Sequence, residues 1–339
     1  IGMASNFCGF NLEEGCRTTI ECIKNPEHDI LSTMPAPDFT TGGELIYDES
    51  EMRAIYESGR GSFKVRAKWQ YDKKENLIEV TEIPYTTTIE VIIDKIAELV
   101  KTGKVREIAD VRDETDLSGL KIAIDLKRGT DPEKLMARLM KLTTLQDSFS
   151  CNFNVLIGGM PRVLGVQQIL EEWTSWRTEC VRRRVFFELG KKKDKLHLLL
   201  GLRKILLDID KAIAIIRGTE EDAKVIPNLM EGFDIDQIQA EFIADIRLRN
   251  INKEYILKRT QETEALENEI KKLEEIVKSK TKIRNIIVKE LEQVIKKYPS
   301  ERRTHIVRAD KVTEFAEEDH IEDYPVLLFM TREGYFKKI

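Results

Sequence analysis

Long apolar runs are missing from this sequence, and so are paired cysteines and clustered histidines. No apolar stretch approaches the about 18 residues that a membrane-spanning helix needs, and the start has no secretory signal peptide. The five cysteines are odd in number and form no C-x-x-C, which favours a reducing compartment and argues against a disulfide framework or a zinc ribbon. The four histidines stand apart from one another and from the cysteines, so no metal site is predicted.

A phosphate-binding G-x-x-x-x-G-K motif is also missing, so we expect no ATP site in this chain. The net charge is -5, and any contact with nucleic acid must therefore depend on local patches of positive charge. The length of 339 residues exceeds one typical core and predicts two or three structural units. Because the chain opens on Ile1 and IGMASN has no helix-start signal, we expect a piece of a longer protein.

Glycine and proline are absent from residues 254 to 298. Apolar residues recur there with the spacing of a coiled-coil seam: Leu266, Ile270, Leu273, Val277, Ile287, Leu291, Val294 and Tyr298. A helix of about 45 residues reaches about 65 Å and needs a partner along its length. The predicted partner is 166–201, with a seam of Val166, Ile169, Trp173, Trp176, Cys180 and Phe187.

The partner segment is also strongly basic, with eight basic and three acidic residues from Trp176 to Lys195. A charge run on a long helix is usually a solvated face, and the alternative is an electrostatic track for nucleic acid. Between the two long helices, residues 202–252 are helical in pattern but interrupted at Gly218, Pro227 and Gly232. This segment predicts a small helical domain at the tip of the pair, which is either a cap or a contact surface for a second copy.

A strictly alternating stretch follows Gly61 and predicts a half-buried strand. Its apolar side is Phe63, Val65, Ala67 and Trp69, and its basic side is Lys64, Arg66 and Lys68, preceded by Arg60. A polar turn at 72–76 leads to the predicted partner strand, 77–84. The basic row either protects an exposed strand against edge pairing or binds phosphate groups.

Other signals around this strand predict an α+β unit over residues 35–165. Thr88–Lys101 is an amphipathic helix, and a second helix starts with Asp131 as cap and Pro132 as first residue. Strands are predicted at 105–111 and 120–126, and a hairpin at 153–164 turns at Gly158. An earlier helix is capped by Asn11. Residues 309–323, with seven acids and one lysine, predict a flexible linker, and the last residues predict a hairpin.

Ten sequence blocks, in collinear order over nearly the whole chain, resemble the A subunits of the DNA gyrase and topoisomerase IV family. The blocks are IGMASN, PAPDFTTGGELI, AIYESGRGSFKVRAK, VTEIPYT, IDKIAELV, VRDETD, TTLQDSF, RRRVFFELGKKKDKLHLL, QAEFIADIRLRNI and ERRTHI. One such block is a weak signal, whereas ten in order are a strong one.

The resemblance implies an α+β tower domain followed by a long antiparallel coiled coil with a helical globular dimerisation domain at its tip. The implied division is 1–34, remnant of a preceding domain; 35–165, tower; 166–201, ascending helix; 202–252, exit gate; 253–298, descending helix; 299–323, acidic linker; and 324–339, first hairpin of a C-terminal β-domain.

Members of this family are ATP-dependent isomerases that cut both strands of one duplex, pass another through and reseal the break. Their nucleophilic tyrosine follows an arginine, and no tyrosine here does, so we expect this piece alone not to cleave DNA. The resemblance implies a homodimer that joins an ATPase B subunit in an A2B2 complex, with Mg²⁺ and ATP on that partner. It also implies the bacterial cytoplasm, at the nucleoid, and no membrane. The alternative function is a purely architectural coiled-coil dimerisation protein.

The family's PDFPTAG-like loop carries an apolar wedge that is inserted between base pairs. By resemblance the wedge is Leu45, with Ile46 as the other possibility, and the resemblance favours phosphate contact for the basic row. The implied DNA-binding residues are Thr41, Gly42, Gly43, Leu45, Ile46, Arg60, Lys64, Arg66 and Lys68. The implied dimer residues are Gln239, Phe242, Ile243, Ile246, Arg247 and Arg249. The chain departs from the family at Thr40, where proline is usual.

Overall fold

The computed structural model describes residues 2–246, 253–312 and 327–338. The chain divides into two compact units, which we call the first unit (1–19, 27–169 and 298–339) and the second unit (20–26 and 170–297). Helices and sheets both occur, which confirms the predicted α+β class.

The elements follow one another in this order. From the N-terminus they are α1 (Leu12–Lys24), α2 (Ile30–Thr33), β1 (Glu44–Tyr47), α3 (Glu49–Ser58), β2 (Arg60–Arg66), β3 (Lys68–Asp72), β4 (Leu77–Glu82), α4 (Ile89–Lys101), β5 (Ile108–Asp113), β6 (Ile122–Leu126), α5 (Pro132–Leu142), β7 (Gln146–Asn152), β8 (Asn154–Ile157) and β9 (Met160–Val163). Then come α6 (Val166–Leu206), α7 (Ile209–Gly218), α8 (Val225–Phe233), α9 (Gln237–Ala244), α10 (Lys253–Lys278), α11 (Lys280–Lys297), β10 (His305–Arg308), β11 (Leu328–Met330) and β12 (Phe336–Lys338).

Two four-stranded sheets form the first unit, with strand orders β10-β1-β2-β7 and β3-β4-β6-β5. The single strand predicted through Phe63 and Trp69 is therefore wrong, because it breaks at Ala67 and its halves join different sheets. The Ala67 N–H donates to the Leu145 carbonyl at 2.7 Å, and Ala67 is fully buried. Only the second half pairs with β4 as predicted. The apolar alternation continues through the break, so periodicity does not reveal it.

The main core of the first unit lies between the second sheet and helices α4 and α5. Helix α5 starts as predicted, because the Asp131 side chain accepts hydrogen bonds from the backbone N–H groups of Glu133 and Lys134. The Asn11 cap of α1 is confirmed in the same way, with Asn11 Oδ1 accepting from Glu13 and Glu14. The predicted hairpin at 153–164 forms as β8 and β9.

In the second unit, α6 packs antiparallel to α10 and α11. The predicted unbroken helix from 254 is interrupted at Ser279, whose Oγ accepts from the Lys282 N–H at 3.3 Å and whose carbonyl accepts from the Ile283 N–H at 3.2 Å. Serine is a favourable N-cap residue, so a new helix starts here although the segment has no glycine or proline.

The predicted seam is confirmed in part on each side of this pair. Leu266, Ile270 and Ile287 are buried as predicted, whereas Tyr298 is 52% exposed. Val166 is buried and Trp173 packs against the core, also as predicted. On α6, however, Trp176 and Phe187 are 58% and 61% exposed, and the buried stripe is Val181, Val185, Leu189, Leu199 and Leu202. Both stripes have helical spacing, and only the partner helices select between them.

Helices α7, α8 and α9 share a small apolar core with the end of α6, including Ile205, Leu229 and Ile243. The described part of the predicted helical domain is helical, and α6 continues to Leu206 instead of ending near Gly201. Residues 247–252 lie outside the described residues.

The linker predicted to begin at residue 299 is wrong for its first part. His305–Arg308 forms β10, which pairs in parallel with β1, and Thr304 is fully buried. The polar residues that suggested a linker instead hydrogen-bond a loop of the first unit, as described below. Most of the acidic stretch, 313–326, lies outside the described residues. The predicted hairpin beyond it forms as β11 and β12. Within the described ranges, no helix is long and apolar enough to cross a membrane.

The core of the first unit predicts a contrast between two leucines of α5. Leu139 is fully buried, whereas Leu142 is 39% exposed. We expect Leu139→Ala to lower the free energy of unfolding by about 2–5 kcal/mol, because it leaves a cavity, and Leu142→Ala to lower it by less than about 1 kcal/mol. Urea denaturation measures both values. Equal losses in the two variants would contradict the placement of α5.

Candidate nucleic-acid interface

Strand register places both candidates for the wedge and three residues of the basic row, Arg60, Lys64 and Arg66, on the first sheet, whereas Lys68 begins β3 of the second sheet. In the first sheet, Ile46 lies opposite Lys64 on β2 and opposite Val307 on β10, and Lys64 lies opposite Ser148 on β7. Because opposite residues share a face and neighbours along a strand alternate, these side chains lie on one side, which we call the outward face. The other side is apolar, with Leu45, Phe63, Val65 and Phe149 buried.

This alternation separates the two candidates for the wedge. Leu45 is 0% exposed and lies opposite the buried Val65, so it cannot leave the sheet core without opening the strand. This burial argues against Leu45 as the wedge. Ile46 is half-buried on the outward face and is the remaining candidate. A sequence motif does not resolve which of two adjacent apolar residues points outward.

At Gly42 and Gly43 the loop lies close to the Glu82 side chain and the Arg66 carbonyl. Both glycines have positive φ, +74° and +84°. A Cβ on Gly42 would lie 2.2 Å from Glu82 Oε2, and one on Gly43 would lie 2.8 Å from the Arg66 carbonyl. The Gly43 N–H donates to the Glu82 carboxylate, so it is not available to a phosphate. Thr41, between this pair and Thr40, is exposed.

The basic row is not uniform. Lys68 pairs with Glu82 at 3.3 Å and lies 3.0 Å from His305 Nε2, and the Arg66 side chain donates to Gln146 Oε1. By contrast, Lys64 and Arg60 are exposed and have no ion pair within the described ranges. The structure therefore leaves two of the four predicted cations available on the outward face.

Three residues that the sequence reasoning did not single out hold the loop before β1. Arg302 forms an ion pair with Glu14 and donates to the carbonyls of Ala36 and Pro37 at 2.7 and 2.8 Å. The Thr304 hydroxyl accepts from the Phe39 N–H at 2.8 Å and lies 3.2 Å from the Gly42 carbonyl, to which it donates. These contacts join positions more than 260 residues apart, and we call Arg302, Arg303 and Thr304 the clamp.

Asp38 is the loop's own partner for the clamp. Its Oδ1 accepts from the backbone N–H groups of Arg303 and Thr304 at 3.0 and 2.8 Å, and its Oδ2 accepts from Asn11 Nδ2 at 3.2 Å. Beneath the loop, the Phe39 ring packs against Phe149 at 5.3 Å between ring centroids. These contacts hold the Asp38 carboxylate and backbone groups from Ala36 to Gly42, and so fix the path of the loop into β1. The sequence signals for the clamp were an unusually polar stretch after a long helix and the block ERRTHI of the family resemblance.

The basic run on α6 belongs to the second unit. Five of its eight cations pair with acids of α10 and α11: Arg177 and Arg184 with Glu290, Lys192 with Glu269, Lys193 with Glu274, and Lys195 with Glu262. Burial raises the pKa of the Glu290 carboxyl, but hydrogen bonds from its two arginines outweigh burial and hold that pKa below its ordinary value. This pairing favours the solvated-face interpretation over a nucleic-acid track.

Two of the predicted dimer residues are buried within the tip. Ile243 belongs to its core, and the Gln239 side chain accepts from the Asp236 N–H and donates to the His197 carbonyl at 2.7 Å. They cannot be primary contacts of a second copy. Phe242 and Ile246 are half-buried, and Arg247 and Arg249 lie outside the described residues. The exposed apolar residues here are instead Leu207 (82%), Ile213, Ile216 and Ile238.

The clamp predicts the effect of removing one hydroxyl. We expect Thr304→Val to lower the free energy of unfolding by about 1–3 kcal/mol, because the Phe39 N–H and the Gly42 carbonyl lose their buried partner. Thr304→Ser keeps the hydroxyl and is the matched control. Amide hydrogen exchange at Phe39 gives the local measurement: protection should fall in the valine variant and remain in the serine variant. Unchanged protection in both would contradict the clamp.

Comparisons with known proteins bear on these observations. The family model for the A subunit of DNA gyrase and topoisomerase IV matches residues 1–292. The DNA gyrase A subunit of Borreliella burgdorferi is 33% identical, that of Clostridium acetobutylicum 36% and that of Synechocystis 34%. Each match covers 100% of this chain and 42%, 41% and 40% of the relative, respectively, so the chain spans about two fifths of these relatives. The resemblance seen in the sequence is thereby confirmed, and the chain belongs to the family of DNA gyrase and topoisomerase IV A subunits.

Proposed function

We propose that this chain supplies the part of a type IIA topoisomerase A subunit that binds and bends one DNA duplex and holds two copies together during strand passage. The observation that carries the proposal is the outward face of the first sheet. There, the half-buried Ile46 stands beside the exposed Lys64, on a strand that the clamp holds in place.

Ile46 acts as the wedge in this proposal. An apolar side chain between two base pairs unstacks them at a cost of a few kcal/mol and bends the duplex, which gains contacts elsewhere. A wedge transmits a bend only if its base is rigid, and β1 is hydrogen-bonded on both sides, to β2 and to β10. Lys64, Arg60 and Thr41 contact phosphates beside the wedge. Arg66 and Lys68 support the site through Gln146 and Glu82.

The second unit joins two copies. In the proposal its antiparallel helices α6, α10 and α11 form the coiled-coil arm, and α7 to α9 form the exit gate at the tip. Exposed apolar residues support a contact there: Ile213 and Ile216 lie one helical turn apart on α7, and Leu207 just precedes that helix. Burying these residues against a second copy removes apolar surface from water.

The parent activity needs groups beyond this sequence. We propose that the chain works with an ATPase B subunit that carries ATP and Mg²⁺, and that it acts on DNA in the cytoplasm. No tyrosine in the chain follows an arginine, so the nucleophile for strand cleavage comes from residues outside these 339. Only duplex binding, bending and dimerisation are assigned to the residues named above.

One observation favours the alternative function, an architectural helical protein. The basic run on α6 pairs with acids of the same unit and so offers little free charge to DNA. In that alternative, the outward face has no ligand. Substitutions at Ile46 and Lys64 separate the two functions.

For DNA binding, we expect Ile46→Ala to reduce the bend of a bound duplex, measured by end-to-end fluorescence energy transfer, because the wedge is shortened. Lys64→Glu should lower the slope of log affinity against log salt concentration by about one, since one phosphate contact is lost. Lys289→Glu, an exposed lysine on α11, is the charge-matched control. If Ile46→Ala leaves the bend and Lys64→Glu leaves the salt slope as they are in the original chain, the proposal that Ile46 acts as a wedge beside Lys64 is contradicted.

For dimerisation, we expect Ile216→Glu to shift the chain from dimer to monomer in sedimentation equilibrium, because a charge replaces an apolar contact. Ala214→Glu, also exposed on α7, places the same charge on another side of the helix and should leave the dimer intact. A dimer that persists in Ile216→Glu, or that is lost equally in both variants, would rule out this face of α7 as the contact.

A further inference from the structure

The second sheet of the first unit carries a basic depression that the proposed function does not use. It has a volume of about 480 Å³ and lies where β6 ends and α5 begins. Five basic residues line it: Arg106, Lys127, Arg128, Lys134 and Arg138. Concentrated charge in a concave surface focuses the electrostatic field and attracts anions.

The two acids of this depression do not neutralise it. Glu107 pairs with Arg138 at 3.1 Å and accepts the Arg106 backbone N–H at 2.6 Å. Asp131 caps α5. Five cations against two carboxylates leave an excess of positive charge.

The cations are held facing the depression or are without a partner. Lys127 donates to the Arg106 carbonyl at 2.6 Å, and such a neutral acceptor leaves its charge uncompensated. Arg128 and Lys134 have neither an ion pair nor a side-chain hydrogen bond among the described residues. Gly129, with φ of +85°, lies in the turn between β6 and α5, and Arg128 and Lys134 both line the depression. A guanidinium and an ammonium that line one depression suit phosphate oxygens.

Register places the depression at one end of the second sheet and the first sheet at the other. β3 starts at Lys68, directly after β2, so this end of the second sheet adjoins the first sheet. At the opposite end lie the pairs Asp72↔Leu77, Leu77↔Asp125 and Leu126↔Ile108. The depression lies at that opposite end. Five strand residues span about 16 Å, which corresponds to about five base pairs at 3.4 Å per pair. Exposed Lys73 and Lys74 lie in the β3–β4 turn at this same end.

We propose that this depression binds phosphodiester groups of duplex DNA that extends beyond the first sheet. The inference rests on the proposed function, because a duplex held at Ile46 supplies phosphates at this range. Free phosphate compounds have the same chemistry, and the experiment below separates the two sources.

The test compares Arg128→Glu/Lys134→Glu with the original chain on two duplexes. One has about 40 base pairs and one about 8, or about 136 and 27 Å at 3.4 Å per pair, so that the short duplex, when centred at Ile46, ends before the depression. We expect the double variant to bind the long duplex at least about tenfold more weakly at low salt, with a salt slope lowered by about two, and the short duplex almost unchanged. Glutamate at position 134 lies in the first turn of α5, where an acid favours the helix.

Lys280→Glu/Lys289→Glu, which makes the same charge change at exposed positions of α11, is the control and should leave both affinities unchanged. If Lys64→Glu weakens binding of both duplexes while the depression variant changes neither, the inference is overturned and the proposed function stands. If the original chain binds neither duplex, both are overturned. Calorimetry with inorganic tripolyphosphate adds a further outcome. If the original chain binds tripolyphosphate and the double variant does not, while both bind the long duplex equally well, the site is assigned to free phosphates and DNA is overturned as the source.

Discussion

The hydroxyl group of Thr304 bridges two backbone groups of a loop that lies more than 260 residues earlier in the chain. It accepts from the Phe39 N–H and donates to the Gly42 carbonyl, in a position closed to solvent. Arg302 and Asp38 extend the same clamp with an ion pair and four hydrogen bonds to backbone groups. An unsatisfied buried polar group costs about 1–3 kcal/mol, so the hydroxyl of Thr304 stabilises the loop in its place before β1.

This constraint determines which side chains the first sheet presents on its outward face. With β1 held between β2 and β10, alternation along the strand sends Leu45 into the core and Ile46 outward. The glycines before β1 serve the protein's own packing, since Glu82 and the Arg66 carbonyl occupy the space that a Cβ would need. The face that remains is small: Ile46 and Val307 are half-buried on it, Lys64 is exposed opposite Ile46, and Arg60 is exposed four residues earlier on β2. A rigid strand is what a wedge requires, because a flexible one would yield before the base pairs do.

Local signals in the sequence predicted much of the fold. Asn11 and Asp131 cap helices as expected, because capping depends on residues two or three positions away. Signals that depend on distant partners failed. Ala67 separates two strands by donating to Leu145, Ser279 starts a new helix inside an apolar pattern, and the α6 seam is chosen by its partners. Of the candidate site, the sequence identified the loop and the basic row; burial decided between Leu45 and Ile46, and the clamp came from a stretch that looked like a linker.

The central claim is that Ile46 separates two base pairs of a bound duplex, and the fluorescence of 2-aminopurine in the DNA tests it most directly. Its emission rises when the base loses its stacking partner. With the probe placed at successive steps, the account predicts a rise at one step with the original chain and none with Ile46→Ala, at saturating protein. A rise that persists in Ile46→Ala, or no rise at any step of a duplex that is fully bound, would contradict it.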